Sequence, residues 1–141
     1  MEPGQLTLTV VTPERAVVEG VACDSVRLPT ERGEIGILPG HTPLVALLGV
    51  GVVTWKDGKT QGSVAVRNGF VEVGSDAVRV LADLAASPET VDASAAAAER
   101  GDAERRRGQV VGDEQLDAVN EDAVWAESRL ALVSSAPPRS R

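Results

Sequence analysis

Through residue 86 the chain alternates hydrophobic and polar side chains with a period of two. Leu6, Leu8 and Val10 are interleaved with Thr7 and Thr9, and Val64 and Val66 sit between Ser63 and Arg67. Val71 and Val73 flank Glu72, while Val78 and Val80 flank Arg79. Alternation of this kind gives a strand one buried and one wet face. Thr12-Pro13-Glu14, Lys56-Asp57-Gly58-Lys59, Asn68-Gly69 and Gly74-Ser75-Asp76 supply turn chemistry between such runs. Valine, which suits a pleated half-buried surface, dominates. Many short strands at this spacing predict an antiparallel β-sandwich or barrel.

At Ser87-Pro88 the pattern changes from strand-like to helical. Ser87 suits an N-cap, Pro88 the first helical position and Glu89 the positive end of the dipole. Asp92 to Arg107 reads as a helix rich in alanine, with Gly101 weakening its middle and Gly108 a natural C′ residue. A second helix runs from Asp113 to about Val133. Its apolar positions Leu116, Val119, Ala123, Ala126, Leu130 and Val133 step by 3 and 4 residues, as in a coiled-coil seam. The short linker predicts an antiparallel hairpin. The chain therefore divides into a sandwich domain over 1–86, a helical hairpin over 87–134, and a tail over 135–141 expected to be disordered. The fold class is α+β.

The first helix carries no Leu, Ile, Val, Phe or Met, so it offers its partner only alanine methyls. Each contributes about 0.8 kcal/mol when buried, against roughly 1.5–3 for a Leu or Val side chain. Ordering the backbone costs on the order of 1–2 kcal/mol per residue. The hairpin is expected to be marginal alone, to lean on another surface, and to be mobile.

Charge and composition narrow the function classes. Of the net charge of −7, the segment 1–86 carries −3 and 87–141 carries −4. That balance argues against nucleic-acid binding, and Trp55, Phe70 and Trp125 are the only aromatic residues. One Cys (Cys23) and one His (His41) cannot make a disulfide or a zinc site within a chain. No apolar run spans a membrane, and Met1-Glu2-Pro3-Gly4-Gln5 lacks the features of a signal peptide, which leads to the expectation of a reduced, cytosol-facing compartment.

Phosphate-binding, zinc-protease and nucleophile-elbow motifs do not occur. Gly49-Val50-Gly51 reads as a strand start. His41 has no accompanying nucleophile and reads as a structural or interface residue. Cys23 reads as a buried, inert thiol. The pairs Glu31/Glu34 and Asp113/Glu114 read as solvated charge. Arg100, Arg105, Arg106 and Arg107 either complement the helix dipole or contact an acidic partner. Leu28 to Leu44 holds apolar Ile35, Ile37, Leu38 and Leu44 on a path fixed by three prolines and three glycines before Leu44, a build suited to protein recognition.

That stretch closely resembles the epsilon subunit family of F-type ATP synthases, called delta in mitochondria. The matching pieces are Leu6–Glu14, Gly33–Leu44, Asn68–Val73 and Val80–Asp83. The resemblance implies a sandwich of about ten strands followed by a two-helix hairpin. It also implies a non-catalytic rotor subunit without a cofactor, bound to the gamma subunit and the c-subunit ring, with a membrane association only through the complex. It implies ring contacts for Glu31, Glu34 and His41. In bacterial members the hairpin switches between folded and extended forms, and the extended form blocks ATP hydrolysis. Arg100, Arg105, Arg106 and Arg107 are the candidates for contact with an acidic segment of the catalytic beta subunit, so the alpha/beta headpiece is a transient partner. The family's ATP-sensing motif falls on Val91-Asp92-Ala93-Ser94-Ala95-Ala96, where Ala95 replaces the motif arginine; weak or absent ATP sensing is expected. The expected location is the cytoplasmic face of a bacterial inner membrane, ahead of a plastid thylakoid. Two other readings remain: a free-standing sandwich binding module that oligomerises through its helices, and a hydrolase built on His41.

Overall fold

The computed structural model describes residues 4–134; the tail 135–141 lies outside the described residues. Seven strands come first: β1 (Leu6–Val11), β2 (Ala16–Cys23), β3 (Ser25–Thr30), β4 (Gly33–Ile37), β5 (Leu44–Asp57), β6 (Thr60–Val73) and β7 (Ala77–Ala86). They form one sheet in the order β2-β1-β7-β6-β5-β3-β4. β1 runs parallel to β7, and every other neighbour is antiparallel.

The expected antiparallel arrangement of about ten strands is thus corrected to seven strands in one mixed sheet. The reason lies in the three central strands. In β6, Val64 and Val66 are buried in the core, and then Val71 and Val73, so the inward phase slips by one residue between them. β5 and β7 slip at the same level: Leu48 then Val53 face inward on β5, and Ala82 then Ala85 on β7. The pairing register of the three strands nevertheless runs through unbroken. Gly49, Asn68 and Asp83 therefore define a line across the sheet along which it turns a corner. On one side lie β2, β1 and one half each of β7, β6 and β5. On the other lie β4, β3 and the remaining halves. One core, with residues from all seven strands, fills the space between, and edge strand β2 comes round to touch β5. Each long strand serves both layers, which is how seven strands build a sandwich.

Asn68-Gly69 is the backbone device of that corner. Asn68 has φ 61° and Gly69 φ 122°, a left-handed region that glycine and asparagine tolerate best. A Cβ on Gly69 would lie 2.0 Å from the carbonyl oxygen of Leu81. The pair reads as a hairpin turn in sequence but sits inside β6, because a corner and a turn need the same positive φ. Gly49-Val50-Gly51 likewise lies within β5 rather than at its start.

After a 3₁₀ turn over Pro88–Thr90, two helices follow: α1 (Ala93–Arg107) and α2 (Asp113–Ser134). The Ser87 N–H donates to Thr90 Oγ1 at 3.3 Å and Thr90 Oγ1 to the Ser87 carbonyl at 3.1 Å. Asp92 caps α1, its Oδ1 accepting from the Ala95 N–H at 3.0 Å. Gly108 ends α1 in a right-handed conformation, and the left-handed residue of the connection is Gly112 (φ 95°). α2 packs on α1 and also on β5 and β6, whereas α1 has its main contacts with α2. The hairpin does lean on another surface, but through one helix.

Replacing Gly69 by alanine is expected to destabilise the protein by at least about 3 kcal/mol. Gly36→Ala, in open space on β4, is expected to change stability by less than about 0.5 kcal/mol. Denaturant midpoints of the two variants check the corner.

Candidate functional site

The residues singled out in sequence fall on different parts of the molecule. Glu31 lies at the exposed turn between β3 and β4, with its N–H donating to the Leu47 carbonyl at 3.1 Å. Glu34, on β4, is engaged by Arg27 of β3, whose Nη2 donates to Oε1 at 2.6 Å and whose Nε donates at 3.2 Å. His41 sits in the loop joining β4 to β5. Its Nδ1 is 2.6 Å from the Thr42 carbonyl oxygen, and that loop is tied to the β6–β7 turn by the Gly40 N–H donating to Ser75 O at 2.7 Å. Leu38, at the head of the loop, is 62% exposed.

Beyond the corner, the outer face of the sandwich carries a row that the sequence reading missed. Leu47, Phe70 and Leu81 are direct cross-strand partners on β5, β6 and β7, exposed at 45%, 53% and 36%, with Val45 beside them at 69%. Three adjacent large apolar side chains on a wet face form a patch of the kind that marks an interaction surface. A signal for it exists in sequence: Phe70 shares its phase with Glu72, and Leu81 with Arg79, so both stand where alternation calls for a polar residue.

On the other side of the corner the same face is covered by α2. Ala65 is fully buried there, outside the sandwich core. Arg67 points from β6 to the helix, its Nε donating to Glu121 Oε1 at 3.0 Å and its Nη2 to Asp122 Oδ1 at 2.7 Å. Asn68 Nδ2 donates to the same Glu121 oxygen at 2.9 Å. The second oxygen of Asp122 accepts from Arg106 Nη2 of α1 at 3.1 Å, and Arg106 Nε also donates to Asp102 at 2.8 Å. Asp122 therefore ties three layers together. Its burial raises the pKa, but the hydrogen bonds and charges of Arg67 and Arg106 outweigh that and hold it below the ordinary 3.8. At neutral pH the carboxylate stays ionised and the cluster intact.

The four arginines of α1 are not equivalent. Arg106 is half-buried in this cluster, Arg105 reaches Asp102 at 3.6 Å, and Arg100 and Arg107 are exposed. Of the seam positions, Val119 and Ala123 join Ala103 in a buried cluster between the helices, with Val110 against it. Ala126 is fully buried, whereas Leu116, Leu130 and Val133 are half-buried. Leu132, off the heptad seam, is 1% exposed, because α2 buries a second stripe toward the sheet. It lines a groove of about 680 Å³ with β2, β5, β6 and Pro88. Glu99 pairs with Arg129, whose guanidinium lies 5.0 Å above the Trp125 ring.

The remaining sites offer little chemistry. Cys23 is buried, and desolvation, aided by Asp24 and Asp57, pushes its thiol above the ordinary value. Among the described residues no group of His, Cys, Asp and Glu could hold a metal ion. No helix there is long and apolar enough to cross a membrane. Asp92, the acidic residue of the nucleotide-motif stretch, caps α1, and Ala95 is exposed.

Residues 5–88 match the family model of the ATP synthase delta/epsilon chain β-sandwich domain. An ATP synthase epsilon chain from Halalkalibacterium halodurans is 48% identical over 101 residues, covering 72% of this chain and 75% of the relative. One from Bdellovibrio bacteriovorus is 35% identical over 130 residues, covering 90% and 91%. In structure, a chain of the Euglena gracilis mitochondrial ATP synthase (OSCP, F1 and c-ring) aligns with a TM-score of 0.75 at 20% identity, over 96% of this chain and 83% of that one, and so shares the fold. The family model, matching more than half of the chain, and these relatives together show that the chain belongs to the ATP synthase delta/epsilon family.

Proposed function

We propose that this chain is the non-catalytic epsilon subunit of a bacterial rotary ATP synthase, fixed in the central stalk and carrying a regulatory hairpin. The observation that carries this reading is the outer face divided at Gly49, Asn68 and Asp83. One part presents the bare apolar row, and the other seats a helical hairpin over buried Ala65 and through the polar contacts of Arg67 and Asn68. A platform that must ride on a turning shaft needs a rigid body with an apolar docking patch. A regulatory arm needs a seat it can leave. The chain offers both on one surface.

In this reading Leu47, Phe70 and Leu81 dock on the gamma subunit. Glu31, Glu34 and His41, on the β3–β4 turn and the β4–β5 loop, face the polar loops of the c-subunit ring. Glu34 is positioned for that contact by Arg27. The domain division at residue 86 then has a functional sense: residues 1–86 anchor and 87–134 regulate. On release, the arginines of α1 approach the acidic segment of the beta subunit and restrain hydrolysis. The membrane is reached through the complex, on the cytoplasmic face of the inner membrane.

Three outcomes follow. Phe70→Asp weakens gamma binding about tenfold or more, as expected for a central anchor, while its circular dichroism and unfolding midpoint stay near those of the parent. Binding by calorimetry checks this. Deleting residues 87–141 leaves assembly with gamma intact and raises ATP hydrolysis by the complex; unchanged hydrolysis would count against the inhibitory role. Titration of the full chain with ATP gives no binding at low-micromolar concentrations, since Ala95 cannot pair with phosphate.

A further inference from the structure

Of the four arginines on α1, Arg105 and Arg106 meet Asp102 of the same helix, and Arg106 also meets an acid of another element. Arg106 spends Nε on Asp102 and Nη2 on Asp122. Asp102 sits one turn away on the same helix and travels with Arg106 wherever the helix goes. Asp122 belongs to α2 and cannot follow if α1 separates from it. The Arg106–Asp122 contact is thus made in the compact form and lost in any form in which the hairpin opens.

Asp122 is itself held from the other side. Its Oδ1 accepts from Arg67 of β6, and its neighbour Glu121 accepts from both Arg67 and Asn68. Arg67 and Asn68 sit at the corner of the sheet, whose strands are fixed by the core. Other charged groups lie close: Glu99 lines the same small polar cavity, with Arg67, Asp102, Arg106, Asp122 and Trp125, and Arg129 pairs with Glu99 across the hairpin. The carboxylate facing Arg106 is therefore pre-oriented and does not have to be ordered when α1 docks. Pre-orientation of this kind strengthens a contact by removing its ordering cost.

We propose that Asp122 is an internal competitor for the acidic partner of α1: it occupies Arg106 in the compact hairpin, so that binding an acidic segment through Arg106 and docking α1 on α2 exclude each other. This deepens the regulatory reading above, and it rests on α1 meeting an acidic surface. Arg67 is a positioning residue here, acting on Arg106 through Asp122. The acidic partner opens the hairpin by taking Arg106, and a loss of Asp122 mimics its presence. A ligand shifts such an equilibrium only through its different affinity for the two forms, and Arg106, held by both Asp102 and Asp122 in one and by Asp102 alone in the other, supplies that difference.

The test uses the full chain with spin labels on cysteines replacing exposed Ala97 and Lys59, Cys23 being buried, and octaglutamate as the acidic probe. The parent is expected to show one dominant distance, and added octaglutamate to bring in a second. Asp122→Asn is expected to raise the second population about tenfold without peptide and to tighten octaglutamate binding by a similar factor. Arg106→Gln is expected to open the hairpin as much but to lose the tighter binding, and the double variant to open it no further than either single one. Arg67→Gln should reproduce the effect of Asp122→Asn in part. An Asp122→Asn protein with the parent's distance distribution and peptide affinity overturns the proposal, as do fully additive effects of the two substitutions. If Asp122→Asn fails to fold, Arg106→Gln, on the outermost helix, decides the question: a second distance supports the competitor, and the parent's distribution overturns it. None of these readouts involves ATP hydrolysis. A latch that behaves as expected alongside unchanged hydrolysis on deletion of residues 87–141 would refute the inhibitory role and leave the competitor standing.

Discussion

The corner at Gly49, Asn68 and Asp83 is the constraint on which the rest of this structure depends. A strand that continued its alternation through this line would turn its buried valines to solvent. The one-residue slip in β5, β6 and β7 instead keeps Val64 and Val66 on the core side along with Val71 and Val73. It also decides what the outer face looks like. Arg67 is left facing α2, and Phe70 is left bare beside it. Gly69 makes this possible, since the approach of the Leu81 carbonyl leaves no room for a Cβ.

Two kinds of cohesion follow from this arrangement. The sandwich is held by a continuous valine and leucine core to which every strand contributes. The hairpin is held by a short alanine-faced contact, Leu132 against the sheet, and a cluster of charges. Exposed ion pairs contribute about 0–1 kcal/mol each, and partly buried charged hydrogen bonds somewhat more. A helix retained this way sits only a few kcal/mol from release, the range in which a partner can shift its position. Removing the sandwich's cohesion would unfold the molecule; removing the hairpin's would leave the sandwich core in place, since no helix residue belongs to it. The sandwich and the hairpin therefore differ in how they are held: one by a shared core, the other by a few contacts across its face.

Much of this was legible in the sequence, for reasons that can be named. Alternation exposed the strands, alanine content and the flanking signals exposed α1, and the step of 3 and 4 residues exposed α2 and part of its seam. Where reading failed, the chemistry was degenerate or nonlocal. Asn68-Gly69 suits a hairpin turn and a mid-strand corner equally well, so two segments of β6 looked like two strands. Leu132 was invisible because a heptad seam describes one buried face and α2 has two. The candidate site was less legible than the fold. The Arg67–Asp122 contact joins residues 55 apart, with no periodicity to reveal it. Arg106 was found as a cation, but its capture by Asp122 depends on how the hairpin closes. The apolar row was missed as well, although Phe70 and Leu81 break the alternation around them and so left a signal.

The central claim is that the sheet is one cooperative body and that α1 is attached to it through α2. Native-state hydrogen exchange on the full chain, followed amide by amide, tests it most directly. The account predicts that amides of α1 exchange through local openings far below the global unfolding free energy, with those of α2 between α1 and the inner strands β6 and β7. Protection of α1 equal to that of β6 and β7 would contradict it, because the helix would then be part of the sandwich rather than its passenger.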